Sequence, residues 1–245
     1  MEPEIIDYNF FVNNDNREFV DAITNSGYKI ELSKILVTEG VQNTKIWMCN
    51  PQGDTFKLSF YKGGESIEYF THEILHAYFI TSMEFADTKE FNNELQVDSH
   101  TKLLLPIELI GHVNNIFAHE KFFKIYLEKN FLKEKFTSDF SNEPVYYKHE
   151  IENNFDSLGL PNEGILYFIS SYFSCADCRS GLYENEKNNH FEFLKSIDSK
   201  LFDILNTTWE KWLAESDIKK NKEIISEFIV NIGKWYKEKT TKVLY

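Results

Sequence analysis

The chain has 245 residues, which is enough to bury a substantial hydrophobic core as one large domain or two small ones. Its 39 acidic and 26 basic side chains leave a formal net charge of −13, which argues against nucleic acid as a main partner because phosphate contacts require clustered Lys and Arg. The mean hydropathy of −0.41 and the lack of an apolar run of roughly 20 residues argue against a membrane protein. The amino terminus lacks the basic and apolar regions of a secretory signal, so we expect a cytoplasmic protein.

The first 61 residues predict a small antiparallel sheet. A helix is expected around residues 16–26, ended by Gly27, and a strand over residues 28–36. Residues 44–49 (TKIWMC) and 55–61 (TFKLSFY) predict two further strands, joined into a hairpin by the turn residues 50–54 (NPQGD).

Residues 66–82 predict an amphipathic helix. Ser66 is placed to cap its amino terminus, and Glu68 suits the positive end of the helix dipole. An apolar stripe at helical spacing predicts the buried face. Its members are Ile67, Phe70, Ile74, Ala77 and Tyr78.

The same helix carries the sequence HEILH at residues 72–76, which predicts the ligands and general base of a zinc peptidase. His72 and His76 lie one helical turn apart, so both imidazoles can reach one ion with Zn–N bonds of about 2.0–2.1 Å. Glu73 can take a proton from a water whose pKa the metal lowers to about 7, and can pass it to a leaving amine. The alternative is a pair of ordinary, partly buried histidines.

A second helix is expected over residues 106–129, with Pro106 as its first residue. It is largely apolar except for one polar stripe that can supply the third protein ligand of a catalytic zinc site. The members of this stripe are Glu108, His112, Asn115 and His119. We favour His119 as the ligand, with Asn115 able to orient its ring or to bind substrate.

Other third ligands stay open. His112 is the main rival, and if His119 holds the metal, His112 lies about 10 Å away along the same face, where it could bind a substrate carbonyl. Glu108 and Glu120 are alternative oxygen ligands.

Residues 44–128 resemble the zincin superfamily of HExxH metallopeptidases. The resemblance rests on His72, Glu73, His76 and the polar stripe, and it implies a motif helix packed on a small sheet and a later helix that contributes the third ligand. Neither an N-E-x-x-x-D string nor the continuation H-E-x-x-H-x-x-G-x-x-H occurs, so the resemblance assigns no subfamily. It also suggests that a peptide substrate adds to the strand before the motif helix, residues 55–61.

The rest of the chain is predicted to be helical. Helices are expected over residues 145–156, 161–178, 190–214 and 218–239, with polar connections at 87–101 and 136–144. Their apolar residues at helical spacing predict packing positions. These residues are Ile204, Trp209, Trp212, Ile225, Phe228, Ile229, Ile232 and Trp235. The predicted fold is therefore α+β, with a zincin-like catalytic region over residues 1–135 and a helical region over residues 136–245 that packs on it, in the same domain or a second one.

Cys175 and Cys178 form a CxxC that lacks the second ligand pair of a zinc finger and the βαβ context of a redox site, which favours structural cysteines over a redox or second metal role. His100, His149 and His190 have no paired neighbours and are interpreted as surface or loop histidines.

Two classes of function follow from these patterns. The first is a zinc-dependent peptidase that acts on peptides or proteins, with Zn²⁺ as its cofactor and Glu73 as its general base. The second is a non-catalytic binding or regulatory protein that keeps the zincin scaffold. No nucleic acid or membrane partner is expected.

Overall fold

The computed structural model describes residues 3–35, 47–87, 101, 104–136, 145–156, 162–178 and 183–243. The chain divides into two compact units, and each is built from two stretches of sequence. The first unit comprises Met1–Phe85 and Lys121–Ser141, and the second comprises Ala86–Glu120 and Asn142–Tyr245. The predicted regions, residues 1–135 and 136–245, stay a prediction.

The first unit contains a four-stranded sheet. Its strands are β1 (Glu4–Ile6), β2 (Lys29–Ile35), β3 (Trp47–Gln52) and β4 (Thr55–Tyr61), in the order β1-β2-β4-β3. The predicted antiparallel sheet of three strands is wrong in two respects: β1 was missed, and β2 pairs in parallel with β4, so the sheet is mixed. Three residues are too few to show a period-two pattern, and strand pairing is a non-local property.

The hairpin between β3 and β4 is tighter than predicted. Gln52 pairs with Thr55, so only Gly53 and Asp54 form the turn, and Gly53 takes the positive φ of 61° that such a turn requires. Pro51, expected in the turn, lies within β3 opposite Phe56. A proline is tolerated there because β3 is an edge strand among the described residues. The predicted start of this strand at residues 44–46 lies outside the described residues.

The position of β4 overturns the predicted mode of peptide binding. β4 is hydrogen-bonded to β2 on one side and to β3 on the other, so its backbone cannot accept an added strand. The place of β4 just before the motif helix in sequence therefore did not reveal that β4 lies inside the sheet.

One face of the sheet carries the core of the first unit. Ile30, Leu32, Phe56, Leu58 and Phe60 alternate along β2 and β4 and are all buried. Helices α1 (Arg17–Asn25) and α2 (Ile67–Ser82) contact each other, and α2 contacts β3. Both helices end within a residue or two of the predicted bounds.

Aromatic rings join α2 to the sheet. Trp47 stacks on Phe60 with ring centroids 4.5 Å apart, and Phe11 contacts both of these rings and Phe70 of α2. Such contacts contribute stability beyond the buried area itself. The predicted cap is confirmed, because the Ser66 hydroxyl accepts a hydrogen bond of 3.3 Å from the Tyr69 N–H.

The second unit is helical in its described part. Helix α3 (Ile107–Glu128) begins one residue after Pro106, and its residues up to Glu120 belong to this unit. It is followed by α4 (Lys148–Asn154), α5 (Glu163–Asp177), α6 (Glu184–Ile197), α7 (Ser199–Ala214) and α8 (Asn221–Val243).

The single helix expected over residues 190–214 is wrong. Asp198 breaks it into α6 and α7, since its backbone is extended and its carboxylate caps α7 by accepting from the Leu201 N–H at 2.9 Å. The predicted packing role of the late aromatic and aliphatic residues is confirmed for all but Ile204, which is only half-buried. Trp212, for example, is buried, stacks on Phe117 at 5.0 Å and donates a hydrogen bond of 2.9 Å to the Phe117 carbonyl.

In the described part of the chain, no helix combines the length and the apolar character that crossing a bilayer requires. The fold class is thus α+β, with a small amino-terminal sheet followed by a helix-rich part.

Candidate metal centre

The motif helix places His72 and His76 side by side. Their Nε2 atoms lie 3.2 Å apart, with the ring of His72 buried and that of His76 half-buried. This follows from the helical repeat, which puts residues four apart on one face. Thr71, next to His72, accepts a hydrogen bond of 2.9 Å from the buried Asn16 amide, which ties this turn of α2 to the start of α1.

His119 of α3 completes a cluster of three imidazoles. One ring nitrogen from each of His72, His76 and His119 lies within 4.8 Å of the other two. Among the described residues, this is the one group of three or more His, Cys, Asp or Glu side chains with such spacing. His119 is 7% exposed, so its ring is as well enclosed as that of His72.

Aromatic rings enclose the two motif histidines. Phe122 follows His119 by one turn of α3, and its ring meets those of His76 and His72 edge-on, with centroids 4.7 Å and 5.3 Å away. Phe136 contacts His72 in the same way at 4.8 Å. Both phenylalanines are buried, so this side of the cluster excludes water and holds the imidazoles by packing.

The other residues of the polar stripe, and the alternative ligand Glu120, are more exposed than His119. Glu108, His112 and Asn115 are exposed, Glu120 is half-buried, and none of the four belongs to the histidine cluster. Asn115 does contact it, because its Nδ2 atom lies 3.2 Å from His119 Nε2.

Asp177 approaches His119 from the other side and was not among the predicted site residues. Its Oδ2 lies 3.7 Å from His119 Nδ1, close enough for an electrostatic attraction but longer than a hydrogen bond. The two residues are 58 positions apart and on different helices, so spacing could not connect them. One signal was present: Asp177 is the last residue of α5, where a carboxylate is unfavourable next to the negative end of the helix dipole.

The donor set and its spacing fit a zinc ion. Imidazole is a preferred zinc ligand, and bonds of about 2.0–2.1 Å on a tetrahedral ion place two nitrogens about 3.4 Å apart. The observed 3.2 Å between the Nε2 atoms of His72 and His76 is close to that value. Glu73 lies between them in the chain on the same helix and is half-buried.

The CxxC does not form a second cluster within the described residues. Cys175 is buried, and burial raises the pKa of its thiol to about 12, so it stays protonated at neutral pH and is a poor metal ligand or nucleophile. The carbonyl of Cys178 accepts a hydrogen bond of 2.7 Å from Lys187 Nζ. Both observations agree with structural cysteines.

The remaining histidines divide three ways. His149 is exposed, as predicted, and His100 lies outside the described residues. His190 is fully buried on α6, so its interpretation as a surface histidine is wrong. The helix that carries His190 begins at Glu184. The prediction began this helix at residue 190, which put His190 at a helix end instead of within the helix.

No protein-family model, no curated protein and no solved structure matches this chain. The case for a function therefore rests on the residues of the site and their geometry.

Proposed function

We propose that this protein is a zinc-dependent metallopeptidase in which His72, His76 and His119 hold the ion and Glu73 is the general base. The observation that carries the proposal is the meeting of three imidazoles from two helices, with ring nitrogens within 4.8 Å of one another. Two of these imidazoles flank a glutamate at the spacing that peptide hydrolysis requires.

The chemistry follows from the donor set. His72, His76 and His119 would hold the ion, which would supply a water whose pKa is lowered to about 7. The Glu73 carboxylate would accept the proton of the attacking water as the water oxygen adds to the peptide carbonyl carbon, and would deliver that proton to the amide nitrogen as the C–N bond breaks. Phe122 and Phe136 keep bulk water away from the imidazoles of α2, which strengthens every electrostatic interaction in the centre.

A non-catalytic binding protein is the second candidate. The Nε2 atoms of His72 and His76 lie at hydrogen-bonding distance, and the Asn115 amide lies at the same distance from His119. The cluster can therefore satisfy some of its own polar atoms without an ion. Zinc content and turnover together separate the two candidates.

The test begins with elemental analysis of protein purified after growth with adequate zinc. The wild-type protein should carry one zinc ion, and a His72→Ala/His76→Ala double variant should carry none. His149→Ala is the matched control, because it removes an exposed histidine and should leave the zinc content unchanged. Equal zinc in the wild type and the double variant would refute the metal site.

The second step tests catalysis. Glu73→Gln should keep the zinc and the fold while hydrolysis of a peptide mixture falls by about 10²–10⁴-fold, the range that a general base contributes. Retained turnover in this variant would assign the base to another group. A wild-type protein that binds zinc but cleaves no peptide would favour the binding protein.

A further inference from the structure

The two ring nitrogens of His119 lie in different surroundings. Nδ1 lies 3.7 Å from the Asp177 carboxylate, and Nε2 lies 3.2 Å from the Asn115 amide nitrogen. The side chains of His119 and Asp177 are only 9% and 17% exposed, so solvent screens their interaction weakly.

These surroundings select one tautomer of a neutral imidazole. An ionised carboxylate only accepts hydrogen bonds, so Asp177 favours a proton on Nδ1 of His119. An amide NH₂ group only donates, so Asn115 favours a lone pair on Nε2. Both neighbours therefore favour the form in which Nε2 is the nitrogen that can bind a metal.

The position of Asp177 in its own helix supports a role outside that helix. A carboxylate at the last residue of α5 lies against the negative end of the helix dipole, which is unfavourable. Attraction to the Nδ1–H of His119 offsets this cost. Lys187, which donates to the carbonyl of Cys178, adds a positive charge at the same helix end.

We propose that Asp177 is the positioning residue of the third metal ligand: it holds His119 in the Nδ1–H tautomer, so that Nε2 is the nitrogen offered to the ion. The Asn115 amide, 3.2 Å from Nε2, would have to turn away for an ion to bind at that nitrogen. The metal part of this inference rests on the proposed function, whereas the choice of tautomer does not. Partners of this kind typically change metal affinity by about 10–100-fold.

The experiment first measures the tautomer without metal. Long-range ¹H–¹⁵N correlation spectra of the metal-free, full-length protein should show His119 as the Nδ1–H form in the wild type. The Asp177→Ala variant should gain the Nε2–H form, and Asp177→Asn, which keeps an acceptor oxygen, should lie between the two. Asp203→Ala, at an exposed carboxylate of α7, should leave the tautomer unchanged.

The second measurement is zinc affinity by competition with a chelator. Asp177→Ala should bind zinc about 10–100-fold more weakly than the wild type, and Asp177→Asn should recover part of the loss. The visible spectrum of the Co²⁺-loaded protein should change in Asp177→Ala and stay unchanged in Asp203→Ala.

The outcomes keep the two proposals apart. An Nε2–H tautomer for His119 in the wild type, or an unchanged tautomer in Asp177→Ala, overturns the role of Asp177 even if zinc binds. A wild-type protein that binds no zinc overturns the proposed function, while the tautomer still tests the pairing. If Asp177→Ala fails to fold, the wild-type tautomer and the Asp177→Asn variant decide the matter.

Discussion

His119 and His190 are both buried histidines on helices of the second unit, yet their surroundings differ. His119 has an amide at one ring nitrogen and a carboxylate near the other. His190 packs against the rings of Tyr146 and Phe193, at 4.9 Å and 5.5 Å, and neither of its nitrogens has a hydrogen-bond partner within the described residues. Burial and the nearby Lys148 lower the pKa of His190 to about 4.

The difference shows that burial of a histidine does not by itself define a site. His119 has two further imidazoles within 4.8 Å and polar groups that can fix its tautomer. His190 belongs to no such cluster among the described residues, and its low pKa follows from an apolar setting. Four changes test this contrast, from the largest expected effect to the smallest.

The first change removes each histidine in turn. His119→Ala should abolish stoichiometric zinc binding, because it deletes one of three protein ligands, whereas His190→Ala should keep one zinc per chain. Elemental analysis of both variants under the same growth conditions measures this. Equal zinc loss in both variants would show that the metal content reports stability instead of ligation.

The second change removes one of the two phenylalanine rings that enclose the motif histidines. Phe122→Ala should lower the free energy of unfolding by about 3–5 kcal/mol, because a large buried ring leaves a cavity. Phe123→Ala is the matched control. Phe123 is next to Phe122 on the same helix but is only half-buried, so its loss should lower the free energy of unfolding less. Urea denaturation gives both values. Equal losses at the two positions would argue against a closely packed wall beside His72 and His76.

The third change uses pH to isolate His190. Its pKa is about 4 in the folded protein against an ordinary 6.5, so the unfolded chain takes up the proton first as the pH falls. The contribution of neutral His190 to the free energy of unfolding is fully present above pH 6.5. It is lost progressively as the pH falls toward 4, by up to about 3 kcal/mol. His190→Leu should remove this part of the pH dependence. An unchanged acid profile in that variant would mean that other groups control it.

The fourth change tests a buried polar group that, unlike His190, is fully paired. Asn221 Oδ1 accepts from the Ala86 N–H, while its amide nitrogen donates to the Ala86 carbonyl and to Asn114 Oδ1. Asn221→Ala should lower the free energy of unfolding by about 1–3 kcal/mol, because it leaves these buried partners without their hydrogen bonds to Asn221. The half-buried Asn231 on the same helix is the control, and its change to Ala should cost less. A stable Asn221→Ala protein would show that water replaces the network.

The parts of the fold that could be predicted from sequence are those with local causes. The Ser66 cap and the near-correct bounds of α1, α2 and α3 follow from capping residues and helical periodicity. The pairing of β2 with β4 and the existence of β1 could not be predicted, since they depend on contacts between distant residues. The prediction that a peptide adds to β4 was wrong for the same reason.

The candidate site divides in the same way. The spacing of His72 and His76 predicted their approach, because one helix sets it. His119 was selected from a polar stripe, and the structure brings that residue to the other two. The approach of Asp177 to His119 and the burial of His190 depend on how separate helices pack, so residue spacing pointed to neither, and the one local signal for Asp177 was a carboxylate at the carboxyl end of a helix.

X-ray absorption at the zinc edge of the purified protein tests the central claim most directly, because it counts and identifies the atoms around the ion. We expect three imidazole nitrogens and one oxygen at about 2.0–2.1 Å, with the nitrogen count reduced or the zinc lost in His119→Ala. Sulfur at about 2.3 Å would place the metal at Cys175 and Cys178 instead, and protein without zinc would remove the basis for a metallopeptidase.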